Sequence, residues 1–529
     1  MQKKINYVGI FAFILLIISY AYTTWMCGGH WIDSDSTSEL MLGKLLAETD
    51  KLVTSDWYYS TSIRVFNINI IYFLCWKIFQ SWKAVRCVSQ VLGLTLLYLS
   101  QCFFYYKAKS KYYMLWPNFL LLPISLTYFK FFLFGLYYLP YLYAIFVLLG
   151  ILFGSLESER HLKIYTIIAG IISFCTCLEG MRLLLNYMLP IFLVVGCLVF
   201  SKERSWNIKS WNRKDKILSA YGVTMLLSSF AGILVNAIYF QKKYDFVNYD
   251  NLGYTTVKVS RIEEVINGYL AVSGYDSMKI MTLKGVMNGL SLLLLCGLIL
   301  FLLVAFLKIA VLEEKSRIIL LYATFSNAIM MIIFLFTSMM YADRYLLITY
   351  VFFVPAVCII MENELIFDKG LWKNLFEAGM VMSFLGMSFS SFHWDIKNYD
   401  KTVGLRETVA YLLENGYHFG YSNFWSANVV TELSNGEIDM YPLKEASEDK
   451  QGSMEGYGKL ELYKWLVRKD MEQRKYTDEP VFVLVPEEDY EILNENIAYF
   501  TNSAFEIYSN EYYRVYGFAD SYDIIKNAN

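Results

Sequence analysis

The chain has 529 residues, 56% of them hydrophobic and 18% aromatic, with 18% charged where soluble domains carry about 25%, and its mean hydropathy is +0.38. That composition excludes an ordinary soluble domain and indicates an integral membrane protein. The net charge of −2 hides an asymmetry: from His393 onward 13 Lys+Arg face 25 Asp+Glu, a net of −12 that leaves +10 on the remainder, so a basic membrane part precedes an acidic soluble part and neither suits nucleic acid.

Met1-Gln2-Lys3-Lys4 precedes an apolar run from Ile5 to about Met26. The basic start predicts a cytoplasmic amino terminus. The run is long enough to span, and no small-x-small cleavage site follows it, so it reads as an uncleaved anchor. Directly after it comes Gly29-His30-Trp31-Ile32-Asp33-Ser34-Asp35-Ser36-Thr37-Ser38-Glu39, three carboxylates where the chain has just emerged into water. Ser36 and Glu39 have capping-box spacing, which predicts a helix starting at Ser36 with Asp33 and Asp35 beside its positive end. A solvated, well-capped turn is the bland alternative. The position in a multi-span protein favours function.

An amphipathic stretch, Leu40–Ala47, and Asp56-Trp57-Tyr58-Tyr59 follow. Arg64–Phe79 is apolar but interrupted by Asn67, Asn69 and Lys77. A crossing there would invert everything after it and put the six basic residues of Lys202–Lys216 outside. Keeping that cluster inside, with Lys107/Lys109/Lys111, Arg160/His161/Lys163 and Lys308/Lys315/Arg317, requires 64–79 to lie at the outer interface. The predicted spans are then 5–26, 87–106, 112–129, 131–153, 164–178, 183–200, 217–240, 286–307, 318–338, 344–361 and 375–392.

The expected fold is therefore mainly α: about eleven spans over residues 1–392, amino terminus inside, with outer loops at 27–86 and 241–285. Within the second loop, Ile262–Val272 has the character of a short interfacial helix. Residues 393–529 form a separate extracytoplasmic α/β domain. Its Thr402–Asn415 has helical spacing, 480–485 reads as a buried strand, 487–499 as a helix, and 504–508 and 512–518 as further strands. It carries no glycine-rich phosphate loop and no nucleophile elbow, so binding or scaffolding is expected of it. All nine cysteines lie in or beside apolar segments, and Cys175-Thr176-Cys177 lacks a partner pair at zinc spacing. Four histidines in the whole chain argue against a histidine-rich metal site.

The outer face collects Asp33, Asp35 and Glu39, then Arg64, then Glu179-Gly180-Met181-Arg182, and finally Asp343-Arg344-Tyr345. Ionisable groups at a membrane boundary cost free energy unless paired or used. Carboxylates supply acid/base or metal-binding groups, and arginines supply forked donors for a phosphate. Bland alternatives are an Arg344–Asp343 pair and an Arg182–Glu179 pair.

An acidic motif just after the first span, interfacial helices next and an outer domain at the end resemble the GT-C glycosyltransferases. These polyprenyl-phosphate-sugar enzymes include protein mannosyltransferases and aminoarabinose transferases. Asp33-Ser34-Asp35 sits where that class carries its acidic loop motif, and Arg344-Tyr345-Leu346-Leu347 is similar to the start of a late helix in many members. Asp56-Trp57-Tyr58-Tyr59-Ser60, Glu179-Gly180-Met181-Arg182 and Phe424-Trp425-Ser426-Ala427-Asn428 also resemble membrane proteins of Gram-positive bacteria. A second acidic motif between the third and fourth spans is missing, where only Lys130 stands, and the Trp-Trp-Asp signature of oligosaccharyltransferases is absent.

The resemblance implies inverting transfer of a sugar from a polyprenyl phosphate to an envelope glycan or lipid at the outer face of the plasma membrane. Asp35 or Asp33 would be the general base. Arg344, with Arg64 or Arg182, would stabilise the departing phosphate. Glu39 and Glu179 would line the substrate, and Trp31, Trp57 and Tyr58 could stack on the sugar, although interface anchoring is the commoner role of such aromatics. The sequence points to no cofactor beyond a divalent cation, Mg or Mn, that Asp33 and Asp35 could share. The competing readings are a transporter or flippase of lipid-linked glycans, and a tail that acts as an outside binding module.

Overall fold

The computed structural model describes residues 2–63, 65–157, 161–200, 211–247, 253–256, 259–275, 281–339, 341–362, 371–444, 457, 460–493 and 505–526. Among them, nine helices are long and apolar enough to cross a membrane: Lys3–His30, Trp82–Lys107, Leu139–Glu157, Met181–Val199, Asp215–Lys243, Leu283–Leu307, Glu314–Phe336, Asp343–Glu362 and Lys373–Ile396. The chain is a multi-pass membrane protein. Leu162–Cys177 is a shorter apolar helix of 16 residues.

The predicted helical span at 112–129 is not formed. Pro117 and Pro123 each remove a backbone donor and clash with the preceding turn. The segment instead runs as a 3-10 turn (Trp116–Leu121), an extended step, one α-turn (Leu126–Tyr128) and a π-helical turn (Phe129–Phe134). It still traverses the bundle, beside helix α1 (Gln2–Cys27). At one end Asn6 donates to Lys111 O at 3.3 Å, midway Tyr20 bonds Leu121 O, and at the far end Gly28 lies against Phe134. Irregular backbone at membrane depth survives only when buried in protein with its polar groups satisfied. Here Asn118 donates to Gly9 O, Met114 O and Leu115 O at 3.0–3.1 Å, and the Tyr128 hydroxyl donates to Leu120 O at 2.8 Å.

The two ends of the bundle differ in charge. Lys315 and Lys109 pair with Glu157 at one end, and Glu362 there accepts from the Lys111 amide at 2.8 Å. The acidic motif lies at the other end, together with the π-helical segments 129–134, 184–188, 236–240 and 391–396. Such segments recur at functional sites.

Helix α2 (Ser34–Thr49) starts two residues before the predicted position, because Asp33 takes the cap. Its carboxylate accepts from the Ser36 amide at 2.8 Å while Ser36 Oγ receives the Asp33 amide at 3.3 Å. The capping box is thus Asp33/Ser36, not Ser36/Glu39, and Asp35 sits in the first helical turn. Helix α3 (Asn69–Ile78) has ten residues, about 15 Å, half of what a crossing needs. It lies along α2: Trp76 Nε1 donates to Leu40 O at 3.1 Å, and Gly43 leaves room for Tyr72, whose Cβ would meet an added Cβ at 2.4 Å. Its other face exposes Ile70, Leu74 and Ile78, as an interfacial helix requires. Helix α4 (Trp82–Lys107) then returns across the bundle.

Among the described residues one sheet joins the loops to the tail, and a second lies within the tail. Strand β1 (Trp57–Tyr59) pairs with β2 (Asp245–Phe246) of the long loop and with β5 (Val467–Arg468) of the tail. The tail itself is α/β, a five-stranded mixed sheet in the order β4 (Asp439–Leu443), β3 (Phe419–Asn423), β6 (Val481–Pro486), β8 (Tyr513–Phe518), β7 (Phe505–Ser509). Helix Val403–Glu414 flanks it, and Glu487–Leu493 covers the described part of the helix expected at 487–499. Strands β3 and β4 escaped the sequence reading, since Phe419–Asn423 contains Gly, Ser and Asn. Helix Phe424–Leu433 docks on α2 through Ser34 Oγ to Phe424 O (2.5 Å), Thr37 Oγ1 to Glu432 Oε2 (2.6 Å) and Asn428 Nδ2 to Ser38 Oγ (2.8 Å). Beneath it Arg86 forks Glu432, both side chains under 8% exposed, with Nη2 to Oε2 at 2.6 Å.

Candidate active site at the Asp33 face

Helix α2 carries two of the three carboxylates of the motif toward the bundle. Asp33 Oδ1 accepts from the Tyr137 hydroxyl at 2.9 Å as well as from the Ser36 amide. Tyr137 reaches it because the turn before it is forced, with Leu136 buried at φ 59°, a conformation that costs a residue with a Cβ about 1–2 kcal/mol. Burial, and then the charges of Asp33 and Asp35, push the Tyr137 phenol well above its ordinary range, so it stays a hydrogen-bond donor.

Asp35 Oδ2 lies 3.6 Å from Arg344 Nη1, and the two side chains are 24% and 31% exposed. Arg344 comes from a 3-10 turn, Asp343–Leu346, that precedes helix Leu347–Glu362 and is covered by the helix Val259–Val272 of the long loop. That helix contains the helical stretch expected at 262–272. The guanidinium stands 5.3 Å over Phe131 and 5.7 Å over Tyr345. Lys130 shares the Phe131 ring at 5.7 Å, and Arg182 shares Tyr345 at 5.0 Å. Three cations are thus strung on two rings beside one carboxylate, a layout suited to an anion with several oxygens. Lys130 also donates to the Tyr399 hydroxyl at 2.9 Å.

The other expected residues are placed differently. Glu39 is buried and accepts from Asn69 Nδ2 at 2.9 Å, fastening α3 to α2. Glu179 is buried as well; it accepts from the Phe66 amide at 2.9 Å and the Tyr141 hydroxyl at 2.5 Å, so it tethers the interfacial segment. Both face the packing beneath the site. Arg64 lies outside the described residues. Trp57 is 0% exposed and Trp31 is buried with Nε1 donating to Ile396 O at 3.1 Å, so neither indole offers a free face for stacking. Tyr58 is taken by Glu472 at 2.8 Å, with Lys464 and Lys469 over its ring.

Tyr137 and Tyr399 were missed, since an aromatic beside a span carries no signal that separates a ligand contact from an anchor. Lys130 was visible as the one cation in an apolar stretch. Among the described residues no group of three or more His, Cys, Asp or Glu side chains is arranged to hold a metal. Asp33 and Asp35 alone would offer two carboxylates, which fits the Mg pattern of one or two carboxylates completed by substrate phosphate oxygens.

The tail fixes this motif in place. Thr402 Oγ1 donates to Gly29 O at 2.6 Å, the Lys401 amide donates to His30 O at 3.0 Å, and His30 lies 3.6 Å from Asp400.

No family model matches this sequence, and no curated protein matches it. The fold does have solved counterparts. ArnT from Cupriavidus metallidurans bound to undecaprenyl phosphate matches over 95% of this chain and 97% of its own, with a TM-score of 0.52 at 10% identity. The apo state of the same protein aligns over 98% of both chains at a TM-score of 0.40 and 9% identity. The likeness is one of fold, and it agrees with the GT-C resemblance drawn from the acidic loop, the interfacial helices and the terminal domain.

Proposed function

We propose that this chain is a membrane glycosyltransferase that moves a sugar from a polyprenyl phosphate to a hydroxyl of an envelope glycan or lipid, at the Asp33 face. The observation that carries the reading is the approach of Asp35 to Arg344 inside an ArnT fold. A carboxylate able to take a proton and a guanidinium able to neutralise a phosphate thus line one site.

Asp35 is the general base. It takes the proton of the acceptor hydroxyl as the oxygen attacks the anomeric carbon, while the bond from that carbon to the phosphate oxygen breaks on the opposite face. The anomeric centre inverts and polyprenyl phosphate leaves. Arg344, with Arg182 and Lys130, neutralises the charge that grows on the departing phosphate. Asp33 positions Asp35 by capping α2, and Tyr137 holds Asp33. If a divalent cation takes part, Asp33 and Asp35 would hold it and it would add to that neutralisation. The basic end of the bundle is cytoplasmic and the tail extracytoplasmic.

A transporter usually presents its broken helix as an ion or substrate site near the midplane. Here the broken crossing 112–134 has side chains bonded to its freed carbonyls of Met114, Leu115, Leu120 and Leu121, which favours the enzyme. The test is donor capture. A photoactivatable polyprenyl phosphate should crosslink to the wild type and be displaced by unlabelled polyprenyl phosphate, with labelling reduced in Arg344→Ala. Equal labelling in both proteins would remove the phosphate assignment.

A further inference from the structure

A cleft of about 330 Å3 opens where α2, the start of α4 and the tail meet. Lys44, Glu48, Asp439, Arg468, Arg474 and Trp82 are among its walls. Its volume falls in the range of small-molecule sites, about 300–1,000 Å3, and it lies at a junction between domains, where such sites concentrate. It is not the Asp35 site. Lys44 is nine residues further along α2, about 13 Å down the axis and half a turn round it.

The charges lining the cleft are already matched. Arg474 pairs with Asp439 and reaches Asp470 at 4.0 Å. Arg468 forks Asp470 at 3.0 and 2.5 Å. Lys44 lies 3.8 Å from Glu48 and 5.3 Å over the Trp82 ring. An anion entering here would compete with resident carboxylates, and a cation with resident guanidinium groups. A ligand hydroxyl has no such conflict, because it donates to a carboxylate and accepts from a guanidinium while both pairs stay intact. Met41 and Leu45 supply the apolar wall against which the C–H face of a sugar ring packs. The pairs also hold the polar groups in place before binding, which lowers the ordering cost.

We propose that this cleft binds a neutral, hydroxyl-rich saccharide at a position separate from the Asp35 site, so that the tail anchors a glycan on the outer face. The proposal goes beyond the transferase reading and does not depend on it.

The test uses the full chain in lipid nanodiscs, free of sugar-based detergent, titrated with maltotetraose, cellotetraose, chitotetraose and inorganic phosphate and followed by saturation-transfer NMR. At least one neutral oligosaccharide should bind. Arg474→Ala, Asp439→Asn and Lys44→Ala should each weaken it about tenfold, the loss of one charge-assisted hydrogen bond, with the thermal unfolding midpoint unchanged. Lys44→Ala leaves the Arg474–Asp439 pair untouched and so remains informative if that pair proves structural. Asp35→Asn should bind as the wild type does, which separates this proposal from the fate of the transferase reading. The proposal is overturned if no neutral oligosaccharide binds, if phosphate binds in their place, or if all three cleft variants bind as the wild type.

Discussion

Arg344 Nη1 lies 3.6 Å from Asp35 Oδ2, and the same guanidinium stands 5.3 Å from the centre of the Phe131 ring and 5.7 Å from that of Tyr345. The two rings and the carboxylate together hold the cation at this place. Arg344→Lys keeps the charge and loses the fork and the stacking. It should lower kcat for sugar transfer by roughly 10–100-fold, and Arg344→Ala by roughly 10²–10³-fold, the scale for removing one oxyanion stabiliser. Steady-state kinetics on the two variants check this; a change in KM alone would mean that Arg344 binds substrate without favouring the transition state.

Asp33 and Asp35 are adjacent in sequence role but distinct in geometry. Asp33 caps α2 and accepts from Tyr137. Asp33→Ala should therefore lower stability by about 1 kcal/mol, the usual cost of losing a cap. Tyr137→Phe should leave stability nearly unchanged and slow transfer by less than Asp35→Asn does. Thermal unfolding and transfer rates on the same preparations separate the two effects.

Arg86 and Glu432 form a buried pair between the membrane part and the tail, and Glu432 also receives Thr37 of α2. Removing one partner leaves a charge uncompensated, which costs about 3–5 kcal/mol. Glu432→Ala should thus be strongly destabilising, whereas Arg86→Met with Glu432→Leu should recover most of the loss. If the double variant is as unstable as the single one, the pair does more than neutralise itself.

Asp400 clamps the loop before α2 to the tail. Burial opposes its ionisation, but bonds from Arg406 and the Thr402 amide, with His30 nearby, hold its carboxyl below the usual range. A depressed folded-state value means that its stabilisation is present above the ordinary carboxylate value, about pH 4, and is lost as pH falls through the lowered one. Unfolding midpoints should therefore drop on acidification below about pH 4, and Asp400→Asn should flatten that part of the profile. An identical acid profile in the variant would assign the loss to other carboxylates.

The membrane architecture was legible because long apolar runs and clustered lysines leave few alternatives. The acidic loop was legible because carboxylates beside a span are costly without a use. The departures have physical reasons. Residues 112–129 are apolar enough to read as a helix, but Pro117 and Pro123 break it, and only the contacts of Asn118, Tyr20 and Tyr128 show how the freed carbonyls are satisfied. Trp57, Glu39 and Glu179 looked like ligand contacts because they border the outer loops. Their burial depends on distant segments closing over them, α3 on Glu39, the tail strand 467–468 beside Trp57, and Phe66 with Tyr141 on Glu179, which local sequence does not encode. The approach of Lys130, Arg182 and Arg344 through two shared rings is likewise a property of the assembled bundle.

The most direct measurement is sugar transfer in proteoliposomes from a panel of radiolabelled polyprenyl-phosphate sugars, with wild type, Asp33→Asn and Asp35→Asn compared at equal folded protein. The account predicts transfer by the wild type from at least one donor, a loss of about 10²–10⁴-fold in Asp35→Asn, and a smaller loss in Asp33→Asn. Transfer unchanged in Asp35→Asn would contradict the base assignment. A wild type that transfers from no donor yet carries lipid-linked glycan across the bilayer would replace the enzyme with a transporter.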